Sequence, residues 1–386
     1  MKQFRRILIS CIAVVVTLLT ASLCLSSESI KEIPKVNKVV NVALNIPLTG
    51  PFGIYGQSIR DGALLALDDL SAQDSNIKLN LDFQDNLGQP KTAVSVFQQQ
   101  MLGKPDIYVS GVKPQTMAIF DLVLKKKLPY FVWIFDAFIV EKHQTVFRTW
   151  VNYKYEPKKY MQYIAYKNAK RVAIACVNMP HSKEEFEKIL IPELKAKGIK
   201  TYMEIYNWDT TDYRSIITKL HYDKPDLYIL NGFQENLVGL VMALRDYNLV
   251  KNGNVIGTYD LLDAAKVLNK KYLEGLRVIA PAFIIERPSK YEEWAERFKK
   301  KYNREPLYTD AYSYEMVMII ANAAQRLSFP ATHEQWIKAL EKTNMEGVIG
   351  HLSFDKGRDL KLDLKIGRYN NNGILKLDQS EQKINE

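Results

Sequence analysis

Cysteine is scarce in this sequence. Of the 3 cysteines, Cys11 and Cys24 lie within the first 26 residues, and only Cys176 lies in the rest of the 386-residue chain. A lone thiol cannot form an internal disulfide, so a disulfide framework is excluded for the body of the chain. Cys176 lies in an apolar run without a neighbouring base, and we predict a packed core residue rather than a nucleophile.

Several motifs that carry chemistry are also missing. The sequence contains no GxGxxG or Walker-type loop, no GxSxG elbow, no CxxC, and no HExxH-like pair among its 5 histidines. These absences argue against nucleotide binding, hydrolysis and metal chemistry. We therefore expect no enzyme activity, no cofactor and no metal site.

Long apolar runs are confined to the N terminus. Residues 1–26 open with Lys2, Arg5 and Arg6 and continue with an apolar run over 7–25, which is the pattern of a secretory signal peptide. No later stretch approaches eighteen consecutive apolar residues. The body of the protein is therefore predicted to be exported as a soluble protein.

The fate of the N-terminal segment has three readings. Cleavage near Ser26 is the preferred prediction, and an uncleaved anchor is the second, because the run approaches the length that spans a bilayer. The third is lipidation at Cys24, although Leu23 lies where bacterial lipoproteins carry Gly, Ala or Ser. Each places the rest of the chain in the periplasm or on the outer face of the cytoplasmic membrane.

The charge balance is basic but dispersed. The chain has 53 Lys and Arg against 43 Asp and Glu, a net charge of +10. In segments such as 195–200 and 291–301 the basic residues alternate with acidic ones rather than gathering beside stacking aromatics. This pattern is typical of solvated helix faces, and no nucleic-acid partner is expected.

From residue 39 onward, short apolar β-rich runs alternate with longer amphipathic stretches, which predicts parallel sheets covered by helices. The first series predicts strands at 39–46, 77–83, 107–110 and 130–135 with helices at 56–70, 93–102 and 116–126. After a seam at 147–155, the second predicts strands at 171–177, 201–206, 227–230 and 255–257 with helices at 156–167, 183–197, 212–220 and 236–247. Helices at 291–301, 309–327 and 333–343 precede antiparallel strands at 350–354 and 361–369 and a turn at 370–373. At about 150 residues per domain, two lobes sharing a hinge of crossing strands are the economical prediction.

Four segments carry a family resemblance. They are NIPLTGPFGIYG at 45–56 with DGALLA at 61–66, FQDN at 83–86 with 90–93, YTDAYSYE at 308–315, and GVIGHLSFDKGRD at 347–359. In this order and spacing they resemble the type I periplasmic solute-binding proteins, in the branch that binds leucine, isoleucine and valine and whose relatives bind other small polar solutes. The resemblance covers roughly residues 38–376.

That resemblance implies an α/β fold of two doubly wound parallel-sheet lobes joined by a three-crossover hinge. Lobe one would comprise 37–149 and 282–358, and lobe two 150–281 and 359–380. It also implies a monomeric substrate-binding component of an ABC transporter that captures a small-molecule ligand between closing lobes and delivers it to a membrane permease. Two alternatives are a sensor module that reports to a membrane kinase or regulator, and an exported domain that has lost ligand binding.

In lobe one, the resemblance assigns ligand-binding roles to residues after three strands. Tyr55 matches the family's aromatic wall, although it could instead pack under its helix. Gln115 and Thr116 correspond to the turn that grips a carboxylate, with N-capping as the plain alternative for Thr116. Phe135 and Asp136 replace small residues and a threonine, which favours a cation unless Asp136 caps a helix or pairs with a lysine.

In lobe two, His181 occupies the family's aromatic position after the first strand, where a histidine could titrate near neutral pH. Phe233 matches the aromatic of the next cleft turn. Tyr259 aligns with the acid that binds an ammonium group, and Asp260, one residue on, is the predicted ammonium partner, with helix capping as its alternative. A pocket walled by Tyr55, Phe135, Phe233 and Tyr259 predicts a larger, aromatic or cationic solute.

Overall fold

The computed structural model describes residues 38–50, 52–73, 76–136, 139–251 and 253–381. The predicted signal peptide, Cys11 and Cys24 lie outside these residues. Within them, no helix combines the length and apolar character needed to cross a bilayer.

The strands form two sheets and a separate hairpin. They are β1 Lys38–Ile46, β2 Ile77–Asp85, β3 Ile107–Gly111, β4 Tyr130–Trp133, β5 Val146–Phe147, β6 Arg171–Val177, β7 Lys200–Tyr206, β8 Leu227–Leu230, β9 Val255–Gly257, β10 Arg277–Pro281, β11 Asn344–Gly347, β12 Gly350–Ser353, β13 Leu364–Tyr369 and β14 Leu375–Leu377. The first sheet has the order β2-β1-β3-β4-β5 with every neighbour parallel. The second has the order β14-β13-β10-β9-β8-β6-β7 and is antiparallel only at β10-β13-β14. Strands β11 and β12 pair as the hairpin.

Helices cover both sheets. They are α1 Gly53–Ala72, α2 Pro90–Gln100, α3 Lys113–Lys125, α4 Glu156–Lys167, α5 Pro180–Lys183, α6 Ile191–Ala196, α7 Tyr213–His221, α8 Gln234–Asp246, α9 Leu261–Val267, α10 Lys270–Leu273, α11 Ala282–Glu286, α12 Ser289–Tyr302, α13 Tyr308–Gln325 and α14 His333–Glu341, with 3-10 turns at Met101–Gly103 and Tyr153–Tyr155. A π-helical segment, Glu184–Leu190, joins α5 to α6. We use lobe one for the first sheet and lobe two for the second, each with the helices that pack on it.

The α/β architecture of parallel-dominated sheets confirms the predicted fold class. Central strands such as β3 and β4 are buried along their whole length, because helices cover both faces of a parallel sheet. Cys176 in β6 is fully buried, which confirms the predicted packed core residue. Burial raises the pKa of its thiol and keeps it protonated.

Helix α13 is buried along most of its length and packs closely on α1. Gly62 of α1 lies directly against this helix, where a Cβ atom would stand 2.0 Å from the carbonyl oxygen of Asp310. Only a residue without a side chain allows the two backbones to approach so closely.

Two segments of chain meet between the lobes. Arg148, just after β5, and Asp359, after β12, form an isolated parallel bridge. Their side chains form a buried ion pair, with Arg148 Nε 2.5 Å from Asp359 Oδ1 and Nη2 3.0 Å from Oδ2. Asn152 and Lys154 both donate to Asp359 Oδ2 at 2.9 Å. The lobe boundaries at 149/150, 281/282 and 358/359 stay predictions.

The structure differs from the sequence-based expectation at several places. Strand β10 and helices α9 and α10 were not expected, because runs of four to seven residues are too short to display a period. Helix α3 begins at Lys113 rather than at residue 116. Pro114 lies in its first turn, where a missing N–H costs nothing, and does not mark a loop.

Candidate functional site

A cavity of about 490 Å³ lies between the lobes, beyond the carboxyl ends of β4, β6, β8 and β9. This is where open parallel sheets bind ligands, and the volume falls within the range of small-molecule sites. Its walls are mainly apolar, and the aromatic side chains among them are Phe52, Tyr55, Trp133, Phe135, Trp150 and Phe233. The charged and polar residues on it are Lys113, Asp136, His181 and Asp260.

Phe135 is the centre of an aromatic cluster that joins the lobes. Its ring stacks on that of His181, with 5.2 Å between the ring centroids and 24° between the ring planes. The ring centroid of Tyr259 lies 6.2 Å away, and both partners belong to lobe two. In lobe one, the ring centroid of Phe135 lies 5.9 Å from that of Trp150, and the rings of Trp150 and Trp133 are 4.7 Å apart. Both tryptophans have indole nitrogens with no acceptor in the described part of the chain.

His181 lies on the cavity but does not titrate as expected. Burial lowers its pKa to about 4, although the charge of Asp136 opposes the shift. The prediction that it titrates near neutral pH is therefore wrong. The neutral imidazole, stacked on the ring of Phe135, forms a flat and weakly polar part of the cavity wall that does not repel a cation.

Asp136 pairs with a lysine, one of the alternatives left open by the sequence. Its Oδ1 lies 2.6 Å from the Nζ of Lys113, and its Oδ2 has no hydrogen-bond partner in the part of the chain that the structure describes. Lys113 was not predicted as a site residue. It reaches the cavity because α3 begins at this residue, three positions earlier than expected.

Gln115 and Thr116 do not line the cavity. They are 1% and 0% exposed and face the interior of lobe one, where Gln115 donates to the carbonyl of Gly88 and Thr116 lies 2.9 Å from the hydroxyl of Ser110. Thr116 is not the N-cap either, because that position is Val112, which has a positive φ of 66°. With the helix starting at Lys113, these two side chains fall on its buried face.

Asp260 lies on the cavity at the end of β9. It occupies the N-cap position of α9 but makes no capping hydrogen bond, so the capping alternative does not hold. Burial and the nearby charge of Asp263 raise its pKa to about 8. Tyr259 is 4% exposed and does not line the main cavity. Its ring packs between those of Phe135 and Tyr308, with centroid distances of 6.2 Å and 5.8 Å.

A smaller cavity of about 10 Å³ adjoins the main one and shares His181, Phe233 and Asp260 with it. Glu156, at the start of α4, and Glu185, in the π-helical segment, line it beside Asp260. Both glutamates are 1% exposed, and burial together with the charge of Asp260 holds their pKa values well above the usual range. We call this group, with the hydroxyls of Ser182 and Thr258, the acidic recess.

The chain is similar in sequence to one protein family. The profile of the family described as "Periplasmic binding protein" matches residues 39–373. A search of curated protein sequences found no match.

Solved structures with the same fold span nearly the whole chain. The branched-chain amino acid transporter substrate binding protein LivJ from Streptococcus pneumoniae, in complex with isoleucine, has 19% identity and a TM-score of 0.71, over 88% of this chain and 99% of that one. The leucine binding protein LivK from Thermotoga maritima has 17% identity and a TM-score of 0.71, over 88% and 97%. A solute binding protein of an ABC transporter from Rhodopseudomonas palustris, in complex with 3,4-dihydroxy benzoic acid, has 18% identity and a TM-score of 0.73, over 86% and 93%.

Proposed function

Because the chain belongs to the periplasmic binding protein family, we propose that it is the extracytoplasmic solute-binding component of an ABC importer. It captures a small amino-acid-like, aromatic or cationic solute between its lobes and delivers it to a membrane permease. The members of this family are solute-binding proteins, and the protein acts by binding rather than by catalysis.

The aromatic lining of the cavity carries this proposal. Phe135 from lobe one, stacked on His181 and near Tyr259 from lobe two, forms a surface on which a flat ligand packs. Aromatic faces also stabilise a cation by roughly 0.5 to 2 kcal/mol. Because residues of both lobes line one cavity, the ligand that fills it favours the closed arrangement.

The ligand range differs from that of an ordinary branched-chain amino acid binder. Gln115 and Thr116 are occupied by partners inside lobe one, and Lys113 is already paired with Asp136. A ligand carboxylate must displace Asp136 to reach that lysine, whereas the side chain of Asp260 has no competing partner within the described ranges. The relatives bind isoleucine in one case and 3,4-dihydroxy benzoic acid in another, so this fold accepts aromatic ligands.

The test is a thermal-shift screen against amino acids, aromatic amines and amides, with native mass spectrometry of protein purified from its host to detect a retained ligand. We expect aromatic or cationic compounds to raise the melting temperature, and Phe135→Ala to abolish the shift. Tyr222→Ala, an aromatic deletion at a side chain that is 86% exposed, is the matched control. If only leucine, isoleucine and valine raise it, the broader specificity is wrong, and if nothing binds, the binding function is wrong.

Transport and sensing are separated by the membrane partner. We expect the ligand-loaded protein to co-purify with a permease and its ATPase after crosslinking in host membranes. Recovery of a membrane kinase instead would favour a sensor.

A further inference from the structure

The acidic recess holds three carboxyl groups with no cation. Among the described residues, no lysine or arginine lies within ion-pair distance of Glu156, Glu185 or Asp260. Tyr160 donates to Glu156 Oε2 at 3.3 Å, and no other side-chain hydrogen bond to the three is present in this part of the chain. Buried carboxyl groups are costly to ionise unless an opposite charge compensates them.

Unpartnered polar atoms give an independent indication that the recess receives a ligand. The hydroxyls of Ser182 and Thr258, which are 1% and 2% exposed, have no hydrogen-bond partner among the described residues, and the same holds for Glu185 Oε1. All three residues line the recess. Native proteins rarely bury several unsatisfied polar atoms around one cavity unless another group fills it.

The size and position of the recess restrict that group. A volume of about 10 Å³ is roughly what one water molecule requires, and an ammonium group has a similar size. The recess adjoins the aromatic cavity at His181, Phe233 and Asp260. No set of side chains in the described ranges is arranged to hold a metal ion.

We propose that the acidic recess takes the ammonium group of the ligand while the aromatic cavity takes an apolar or aromatic body attached to it. The ligand class is a primary amine on a flat apolar skeleton, supplied either as an arylalkylamine or as an aromatic amino acid. This inference rests on the proposed binding function and deepens it by adding Glu156 and Glu185, two residues behind Asp260, to the site.

The titratable groups around Asp260 add an expectation about pH. Those that face it or couple to it are Asp263 on its own helix, Glu156 and Tyr160 on α4, Glu185 on the π-helical segment, His181 on α5, Tyr206 on β7, Tyr55 on α1, Tyr308 on α13 and Tyr259 beside it. None of these groups is a cation at neutral pH, and Lys113, the cation that lines the main cavity together with Asp260, is paired with Asp136. Because the pKa of Asp260 is raised to about 8, its carboxyl group is mostly protonated at pH 7, and binding of an ammonium group there releases a proton.

The experiment is isothermal titration calorimetry with four matched probes: 2-phenylethylamine, phenylalanine, 3-phenylpropanoate and 2-phenylethanol. We expect the two amines to bind at least about tenfold more tightly than the alcohol, with 3-phenylpropanoate the weakest. Comparison of phenylethylamine with phenylalanine identifies which source the site prefers. Titration in two buffers of different ionisation enthalpy at pH 7 is expected to show proton release with the amines and none with the alcohol.

Three variants assign the effect to the recess. Glu185→Gln and Ser182→Ala are expected to weaken amine binding, the first by about tenfold, and to leave alcohol binding unchanged. Glu187→Gln, on the same segment but exposed, is the matched control and is expected to bind like the parent protein. Because Glu185→Gln removes a buried acid, its melting temperature should not fall, which separates a binding defect from misfolding.

Two results would overturn the inference. One is equal affinity for the amine, the alcohol and the carboxylate; the other is unchanged amine affinity in Glu185→Gln. If the screen yields a different ligand, the same variants are titrated with that compound, and insensitivity to Glu185→Gln refutes the recess while the binding function stands. Absence of any ligand refutes the proposed function itself.

Discussion

At the residue scale, the site depends on side chains whose burial sets their charge. His181 is the clearest case, since it is neutral where an exposed histidine would be partly protonated. The folded protein holds its pKa near 4, whereas the unfolded chain has an ordinary value near 6.5.

We expect acid to destabilise the protein through this histidine. As the pH falls through 6.5, the unfolded chain binds a proton that the folded protein refuses until about pH 4, so stability present at pH 7 is lost over that interval. The contribution is roughly 2 kcal/mol between pH 7 and pH 5. Urea denaturation of the parent and of His181→Phe at both pH values measures it, and the variant should lose less stability on acidification. An NMR titration of His181 with a pKa near 6.5 would contradict this expectation.

The sequence identified part of the site. The family resemblance pointed to Tyr55, Phe135, Asp136, His181, Phe233 and Asp260, and the structure brings all six to one cavity. Their roles in binding stay predictions. The resemblance could not show which residues of the first turn of α3 face the cavity and which face the interior of the lobe. The ligand-binding role was therefore assigned to Gln115 and Thr116, although their neighbour Lys113 is the residue on the cavity.

Glu156 and Glu185 gave no usable signal. Glu156 precedes a proline at a helix start, where an acidic residue is ordinary. Glu185 lies in the run EEFEK, which reads as a solvated helix face. Glu185 is distinguished only by its place in the π-helical segment and by being buried beside a partly buried Glu184 and an exposed Glu187, and both are tertiary properties.

At the element scale, the contact between α1 and α13 organises lobe one. Gly62→Ala is expected to destabilise the protein by about 1 to 3 kcal/mol, because the new Cβ meets the Asp310 carbonyl oxygen at 2.0 Å and one of the helices must move. Gly103→Ala is the control, since its Cβ meets nothing within 4 Å. Urea unfolding compares the two, and equal midpoints would show that the helices separate without cost.

Element boundaries could be predicted where the pattern was long and strongly periodic. Strand β1 and helix α13 fall within two residues of their expected limits. The start of α3 was misplaced because a proline next to a glycine-containing turn indicates a loop, although the first turn of a helix tolerates it equally well. The periodicity of apolar residues does not distinguish a loop from the first turn of a helix at such a proline.

At the scale of the whole molecule, the alternation of strands and helices with four ordered motifs was sufficient to predict the architecture. The strand order of each sheet was not predictable from periodicity, because it depends on which strands pair across crossovers. The ion pair of Arg148 with Asp359 belongs to this scale. It joins segments that are far apart in the chain, and Arg148 also donates to the backbone carbonyls of Ile134 and Asp136 beside the cavity.

Arg148→Met is expected to destabilise the protein by about 3 to 5 kcal/mol, because it leaves the carboxylate of Asp359 buried with less compensation. Ligand affinity should also fall, since Asp136 loses a backbone anchor. Arg214→Met removes an exposed ion pair with Asp246 and is expected to leave both properties unchanged. Guanidinium unfolding and calorimetry provide the measurements, and parent-like stability of Arg148→Met would show that Asn152 and Lys154 suffice.

The depth of the acidic recess also governs how quickly a ligand is captured. Its two glutamates are buried, whereas the chain as a whole carries a net charge of +10, so an approaching amine is repelled before it can be attracted. Added salt screens that repulsion beyond roughly 10 Å but leaves the buried contacts unaffected. Stopped-flow fluorescence from Trp133 and Trp150 should therefore show faster association of 2-phenylethylamine as ionic strength rises, with a nearly constant dissociation rate. A slower association at high salt would contradict this expectation, because it would show that acidic groups attract the amine despite the net positive charge.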